Sequence, residues 1–213
     1  MRNLDSLTFD TTGLAPAQDQ GNKRIWLAPD RDIYALMYFP VPPNIDAPLQ
    51  DIGKVRARYR EVAAQAGGAI VEADVRPIDG CDVVFVLLKI PQKPTGMIYT
   101  ALLTVPFRDF SYVVKVQCEE TGMTGARDMA VFSELMRTGE IALDEKTGIA
   151  PGWMADPYDP SIAAVPARNR SEDATYDSRF PDHPLSRARR ALRRIEDTLR
   201  FSDELKSQAR YGS

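Results

Sequence analysis

From Ile70 to Glu119 the apolar residues come in closely spaced runs with the two-residue period of strands and little that could form a surface loop. Val83, Val84, Phe85, Val86, Leu87 and Leu88 are continuously apolar, the pattern of a central strand buried on both faces. Phe110, Tyr112, Val114, Val116 and Cys118 alternate with Ser111, Val113, Lys115 and Gln117, which predicts a strand with one packed face. Turn chemistry at Asp79-Gly80 and across Pro91 to Gly96 divides the region into four strands: Ala69 to Val75, Cys81 to Ile90, Met97 to Phe107, and a last one ending at Glu119. None of the connections is long enough for a crossover helix, so sequence neighbours must pair antiparallel.

Upstream, Met1 to Gly21 suits an edge strand or ordered coil. Lys23 to Leu27 and Asp32 to Phe39 are two further strands joined by Ala28-Pro29-Asp30-Arg31, and Pro40 to Pro43 ends the second. Tyr34, Leu36 and Tyr38 share one face and Ile33, Met37 and Phe39 the other, so this strand is expected to be covered on both sides. A helix is predicted from Pro48 to Ala66, capped by Asp46, with Asp51 complementing its dipole and Gly67-Gly68 stopping it. Its stripe is Leu49, Ile52, Val55, Tyr59, Val62 and Ala66. A second helix spans Thr124 to Thr138, with Thr124 as cap and Ala126, Met129, Ala130, Phe132, Ser133 and Met136 facing the core. The resulting class is α+β: an antiparallel sheet of about six strands in ββαββββα order with helices packed on it, filling residues 1–140.

Residues 141–183 read as a proline-rich arm, held to the first domain by Trp153, Tyr158, Tyr176 and Phe180. Asp182-His183-Pro184 then opens a basic amphipathic helix within residues 184–213, and Ser202-Asp203-Glu204 caps a short final turn. Leu185, Ala188, Leu192, Ile195 and Leu199 form a narrow seam, too short to hold a coiled coil alone. It must dock on its own domain or on a partner, so a dimer through this helix is one expectation.

The totals change this picture little. The 213 residues carry 27 Lys and Arg against 30 Asp and Glu, with 44% hydrophobic residues, which describes an ordinary core and surface and predicts no nucleic-acid partner. Charge is uneven, however: six arginines, at 187, 189, 190, 193, 194 and 200, stand against Glu196 and Asp197. At helical spacing they do not share one side, which favours a solvated helix or one clamped to the acidic first domain over phosphate binding. No leader-like opening and no membrane-length apolar run are present, so a cytoplasmic location is expected. Cys81 and Cys118 lie on strands, are expected to be buried reduced thiols, and could be neighbours.

Candidate chemistry is sparse. His183 is the only histidine and stands at a helix entrance, which makes imidazole-based triads and metal clusters improbable. The carboxylate pairs Glu119-Glu120, Asp144-Glu145, Glu172-Asp173 and Asp203-Glu204 fall in turns or helix entrances where acids cap and solubilise. Gly122 to Ala126 could cradle an anion at a helix start, but it lacks the P-loop lysine and the third glycine of a dinucleotide fingerprint. No catalytic, cofactor-binding or metal residue is assigned.

The ββαββββα order, with Asp79-Gly80 between long strands and a helix across an antiparallel sheet, resembles the PsbP/DcrB-like fold over roughly residues 5–140. That resemblance implies a binding module, as in periplasmic or lumenal assembly factors and type VI secretion effector chaperones, and not a catalyst. The leading expectation is a cytoplasmic, non-enzymatic protein-binding module, most plausibly an immunity protein that neutralises a bacterial toxin. The alternatives are a chaperone or adaptor for a type VI secretion effector, and a small hydrolase or transferase with a carboxylate-based site.

Overall fold

The computed structural model describes residues 3–162 and 166–212. The outermost positions of the predicted first and last segments, and residues 163–165 of the arm, lie outside the described residues. The chain is α+β. Its seven-stranded sheet comprises β1 (Ala15–Gln20), β2 (Lys23–Leu27), β3 (Ile33–Phe39), β4 (Ala69–Ile78), β5 (Cys81–Pro91), β6 (Met97–Pro106) and β7 (Ser111–Glu119). The spatial order is β1-β2-β3-β7-β6-β5-β4, with every neighbouring pair antiparallel. One strand more than expected is present because the N-terminal segment supplies β1. The meander β4 to β7 joins the first three strands through β3 and β7, where Leu36 lies opposite Val114.

The reason for the continuous apolar run is visible at β5. Val83, Phe85 and Leu87 enter the core on one face, while Val84, Val86 and Leu88 enter the core on the other. The second face is covered by α1 (Ile52–Gln65), through Ile52, Val55, Tyr59 and Ala63. The first is covered by α3 (Pro184–Thr198), whose Leu185, Ala188, Leu192 and Ile195, with Leu199 just beyond, are all buried against the sheet. The seam therefore closes in cis. The chain ends are tied to the same layer: Leu7–Thr8 pairs with Arg200–Phe201, and Asp79 accepts a hydrogen bond from the Phe201 amide at 2.8 Å.

Several local expectations are corrected. α1 starts at Ile52 and not Pro48, because Asp51 Oδ1 accepts from the Lys54 amide at 3.1 Å and so fixes the cap. Asp46, expected to cap, lies in the left-handed region at φ 55° with its carboxylate towards Arg58. Ala63 replaces Ala66 in the stripe, since Ala66 is already past the last turn and exposed. Phe39 is exposed, so β3 is covered fully on one face only. Cys81 and Cys118 are both buried and free, but they stand two strands apart at opposite ends of the sheet and are not neighbours.

The helix α2 (Ala126–Thr138) departs furthest. Its cap is Gly125, in the left-handed region, and not Thr124. Arg127, Val131 and Leu135 are its buried face, whereas Met129 is 62% exposed and Ala130 and Ser133 also face out. The rotation follows from the partner: α2 packs on arm residues, with Phe132 edge-to-face on Trp153 at 4.9 Å and Tyr176 and Phe180 beside it.

Two glycine-bearing turns are needed to hold the sheet. Asp79 and Gly80 both take positive φ, 46° and 81°, as a two-residue hairpin between Ile78 and Cys81 requires. A Cβ on Gly68 would lie 2.1 Å from the Lys89 carbonyl oxygen, so only glycine lets the chain leave α1 this close to β5. Since α3 closes one face of the sheet, Ile195→Ala should lower unfolding free energy by about 2–5 kcal/mol. Met129→Ala, at an exposed site, should leave the denaturation midpoint nearly unchanged.

Candidate functional site

The chemistry-bearing residues converge where the arm crosses from α2 to the sheet. Lys89 and Tyr99 face each other across β5 and β6, both buried on the α3 side. Between them the arm inserts Glu172, which is 0% exposed. Its Oε2 accepts from Lys89 Nζ at 2.7 Å and from the Asn169 amide at 2.8 Å, and its Oε1 accepts from the Tyr99 hydroxyl at 2.9 Å. Burial, and then the Glu172 charge, push the Tyr99 hydroxyl pKa well above its usual value. It therefore acts here as a hydrogen-bond donor and not as a phenolate.

Two arginines close the cluster. From α2, Arg127 donates to the Ser171 carbonyl at 2.7 Å, to the Asp173 carbonyl at 3.0 Å, and to Asp177 Oδ1 at 3.1 Å. From α3, Arg189 donates to the Glu172 carbonyl at 2.6 Å, to Asp177 Oδ1 at 2.9 Å, and to Glu72 Oε1 at 2.6 Å. Desolvation lowers the Arg127 pKa from its ordinary high value, which Asp177 partly offsets. Asp128 completes the joint by accepting from Asn169 Nδ2 at 3.0 Å and from the Ser171 hydroxyl. Three cations, Lys89, Arg127 and Arg189, and four carboxylates, Glu172, Asp177, Glu72 and Asp128, thus meet in one joint between arm, sheet, α2 and α3, with Glu172 at its buried centre.

The arm has a second mooring on the opposite side of the sheet edge. Asp156, buried, receives Arg60 of α1 through two bonds of 2.6 and 3.1 Å, and also accepts from the Tyr158 and Asp159 amides. Burial opposes its charge, but Arg60 and those amides hold its carboxyl below the usual range. Tyr158 then places its hydroxyl on the Ala73 backbone of β4, accepting from the amide at 2.6 Å and donating to the carbonyl at 3.0 Å. Arg56 lies over the Tyr158 ring at 3.6 Å.

The residues singled out from sequence are distributed, not assembled. His183 caps α3, with Nδ1 accepting from the Leu185 amide at 3.2 Å and its ring edge-on to Tyr99 at 5.5 Å. Burial, with Arg127 and Arg187 nearby, lowers its pKa to about 3, so it is neutral at physiological pH. Glu120 is buried and accepts from the Gly125 amide at 2.7 Å and the Met97 amide at 3.0 Å. The chain's own carboxylate therefore already engages the amide at the α2 start that an anion could have used. Asp144 and Asp173 accept backbone amides in turns, and Asp203-Glu204 form the first turn of α4 (Asp203–Lys206) behind the Ser202 cap. Among the α3 arginines, Arg187 pairs with Asp32 at 2.9 Å and Arg194 with Asp10 at 2.8 Å.

The sequence marks Glu172 as a turn acid and Arg189 as one of six arginines on a solvated or clamped helix, and it gives Lys89 and Arg127 no special assignment. The available signal was Lys89: a cation at the end of a run buried on both faces demands a buried anion. Among the described residues no group of three or more His, Cys, Asp or Glu is placed to hold a metal ion, and no helix is long and apolar enough to cross a membrane. No protein-family model matches this chain, and no curated protein matches its sequence.

Removing the buried carboxylate leaves an uncompensated ammonium, so Glu172→Ala should lower stability by about 3–5 kcal/mol in chemical denaturation. The double variant Lys89→Met/Glu172→Leu should recover most of that loss. The His183 titration has a defined sign. With the folded pKa near 3 and the unfolded value near 6.5, the unfolded chain binds more protons between these limits. This group's contribution is complete above the unfolded pKa and is lost as pH falls towards 3. His183→Asn, which can still cap, should therefore show a shallower acid-side decline in denaturation midpoint than the parent chain.

Proposed function

We propose that this chain is a cytoplasmic, non-enzymatic protein-binding module, and specifically an immunity protein for a bacterial toxin. The observation that carries the reading is the state of its most reactive groups. Glu172, Glu120 and Asp156 are buried, His183 is largely covered, and all four already hold fixed internal partners. Groups so engaged serve rigidity, and a rigid surface lowers the ordering cost of binding another macromolecule. The resemblance of the ββαββββα order read from the sequence to the PsbP/DcrB-like fold points to the same class of activity.

Between immunity protein and effector chaperone, helix placement favours the former. A chaperone for a partner helix needs a concave apolar face, and here α1 and α3 lie on opposite faces of the sheet. What the two helices leave open is a groove of about 420 Å³ along β4, with Glu72, Asp74, Arg76, Arg193 and Glu196 in its walls beside Phe85, Leu87 and Leu192. Charged walls of this kind suit charge-complementary contact with a toxin surface. The hydrolase or transferase reading would draw on Glu172, whose burial denies a substrate access.

Co-expression of the chain with the product of each neighbouring gene, in a heterologous bacterial host, tests this. Growth arrest caused by one neighbour and relieved by this chain is the expected result. Relief of none of them, or substrate turnover by the purified chain that Glu172→Gln abolishes without unfolding, would count decisively against it.

A further inference from the structure

The groove along β4 carries an imbalance that identifies the chemistry of its occupant. Its outer wall is Glu72, Asp74 and Arg76 of β4, its inner wall Arg189, Leu192, Arg193 and Glu196 on α3, and Phe85 and Leu87 of β5 also line it. Two ion-pair contacts span it. Arg76 donates to both Glu196 oxygens, at 3.1 and 2.9 Å, and to Asp74, while Arg189 holds Glu72. These contacts engage all three carboxylates of the groove.

Two guanidiniums in the same groove have no carboxylate partner among the described residues. Arg56 is held in place by Tyr158 and by the Nε bond to the Ala73 carbonyl at 3.1 Å, which leaves both Nη groups uncommitted. Arg193 is exposed and has no polar partner among the described residues. Arginine forks bind carboxylates by paired, charge-assisted hydrogen bonds, and an apolar lining beside them accepts an aliphatic stem.

We infer that this groove is the subsite in which the chain takes an acidic side chain of its protein partner, with Arg56 and Arg193 as the carboxylate ligands and Phe85, Leu87 and Leu192 receiving a neighbouring apolar residue. The partner segment docks here by side chains and not by strand addition, because the β4 edge is closed. Tyr158 occupies the Ala73 amide and carbonyl, Asp74 Oδ1 accepts from the Val75 amide at 2.9 Å, Pro77 has no amide, and a register shift interrupts the strand between Ile70 and Glu72. This inference rests on the protein-binding reading and narrows it to one face and one ligand chemistry.

The test titrates the ¹⁵N-labelled full chain with N-acetyl-glutamyl-leucinamide and with its glutaminyl counterpart, observing the arginine Nε–Hε resonances. Saturable movement of the Arg56 and Arg193 signals by the glutamyl compound alone is expected, weakened about tenfold or more in Arg193→Ala. No movement, or equal movement with the uncharged compound, overturns the subsite. The co-expression assay separates the two levels: where the parent chain relieves a toxin, Arg193→Glu should fail to do so while remaining folded. Relief by both rejects the groove and keeps the protein-binding reading, whereas relief by neither rejects the reading itself and leaves the titration to judge the groove.

Discussion

The arrangement depends on one buried carboxylate. Placing Glu172 at zero exposure carries a desolvation penalty of several kcal/mol for it and for Lys89, and their attraction offsets this only with good geometry and full hydrogen bonding. The geometry is good and the carboxylate is well supplied, since Tyr99 and the Asn169 amide donate to it beside Lys89. An apolar pair would have been cheaper to bury but would not have fixed direction. The ion pair admits one docking of the turn at residues 170–172, and that docking places Arg127 and Arg189 on the carbonyls beside it. The orientation of α2 follows, because α2 packs on the arm and reaches the joint through Arg127.

The same arm explains why the two edges of the sheet differ. Moored at Asp156 on the α1 side and at Glu172 on the α3 side, it passes the β4 edge and leaves the Tyr158 hydroxyl on it. At the other edge β1 is exposed and polar, carrying Pro16, a register shift before Gln18 and the Asp19–Arg24 pair. Both edges therefore resist pairing with a further strand by different means, the first by covering and the second by composition.

What could be read from sequence was whatever local periodicity controls. The β5 run, the alternation along β7 and the seam of α3 all depend on residues whose burial repeats with the element's own period, and each was placed correctly. Failures occurred where the partner is distant in sequence. The face of α2 departs from the sequence pattern because an arginine, Arg127, takes the inward position, which Asp177, the Ser186 hydroxyl and the carbonyls of the turn at 171–173 make tolerable. The α1 cap was misplaced because Asp46 and Asp51 are equivalent by composition, and the backbone at Asp46 decides between them. The buried joint was invisible as a set, since Lys89, Arg127, Glu172 and Arg189 come from four elements. The groove was equally hidden: Arg56 and Arg193 are ordinary helix-surface arginines until the fold brings both to β4.

The arginine content of α3 can now be understood as one device. A short apolar seam would hold the helix weakly, and an acidic sheet layer offers carboxylates on both flanks of that seam. Arg187 reaches Asp32 on one flank, Arg189 reaches Glu72 on the other, and Arg194 reaches Asp10. Each contact draws on an acid far away in sequence, so the basic helix neutralises the domain it covers and little positive field is left for a polyanion. Arg193 lies outside this scheme: it stands one residue from the seam, faces the groove, and engages none of the acids that hold its neighbours. A cation that contributes nothing to the docking of its own helix, beside a second one stacked on Tyr158, is where the carboxylate pairing along this groove ends.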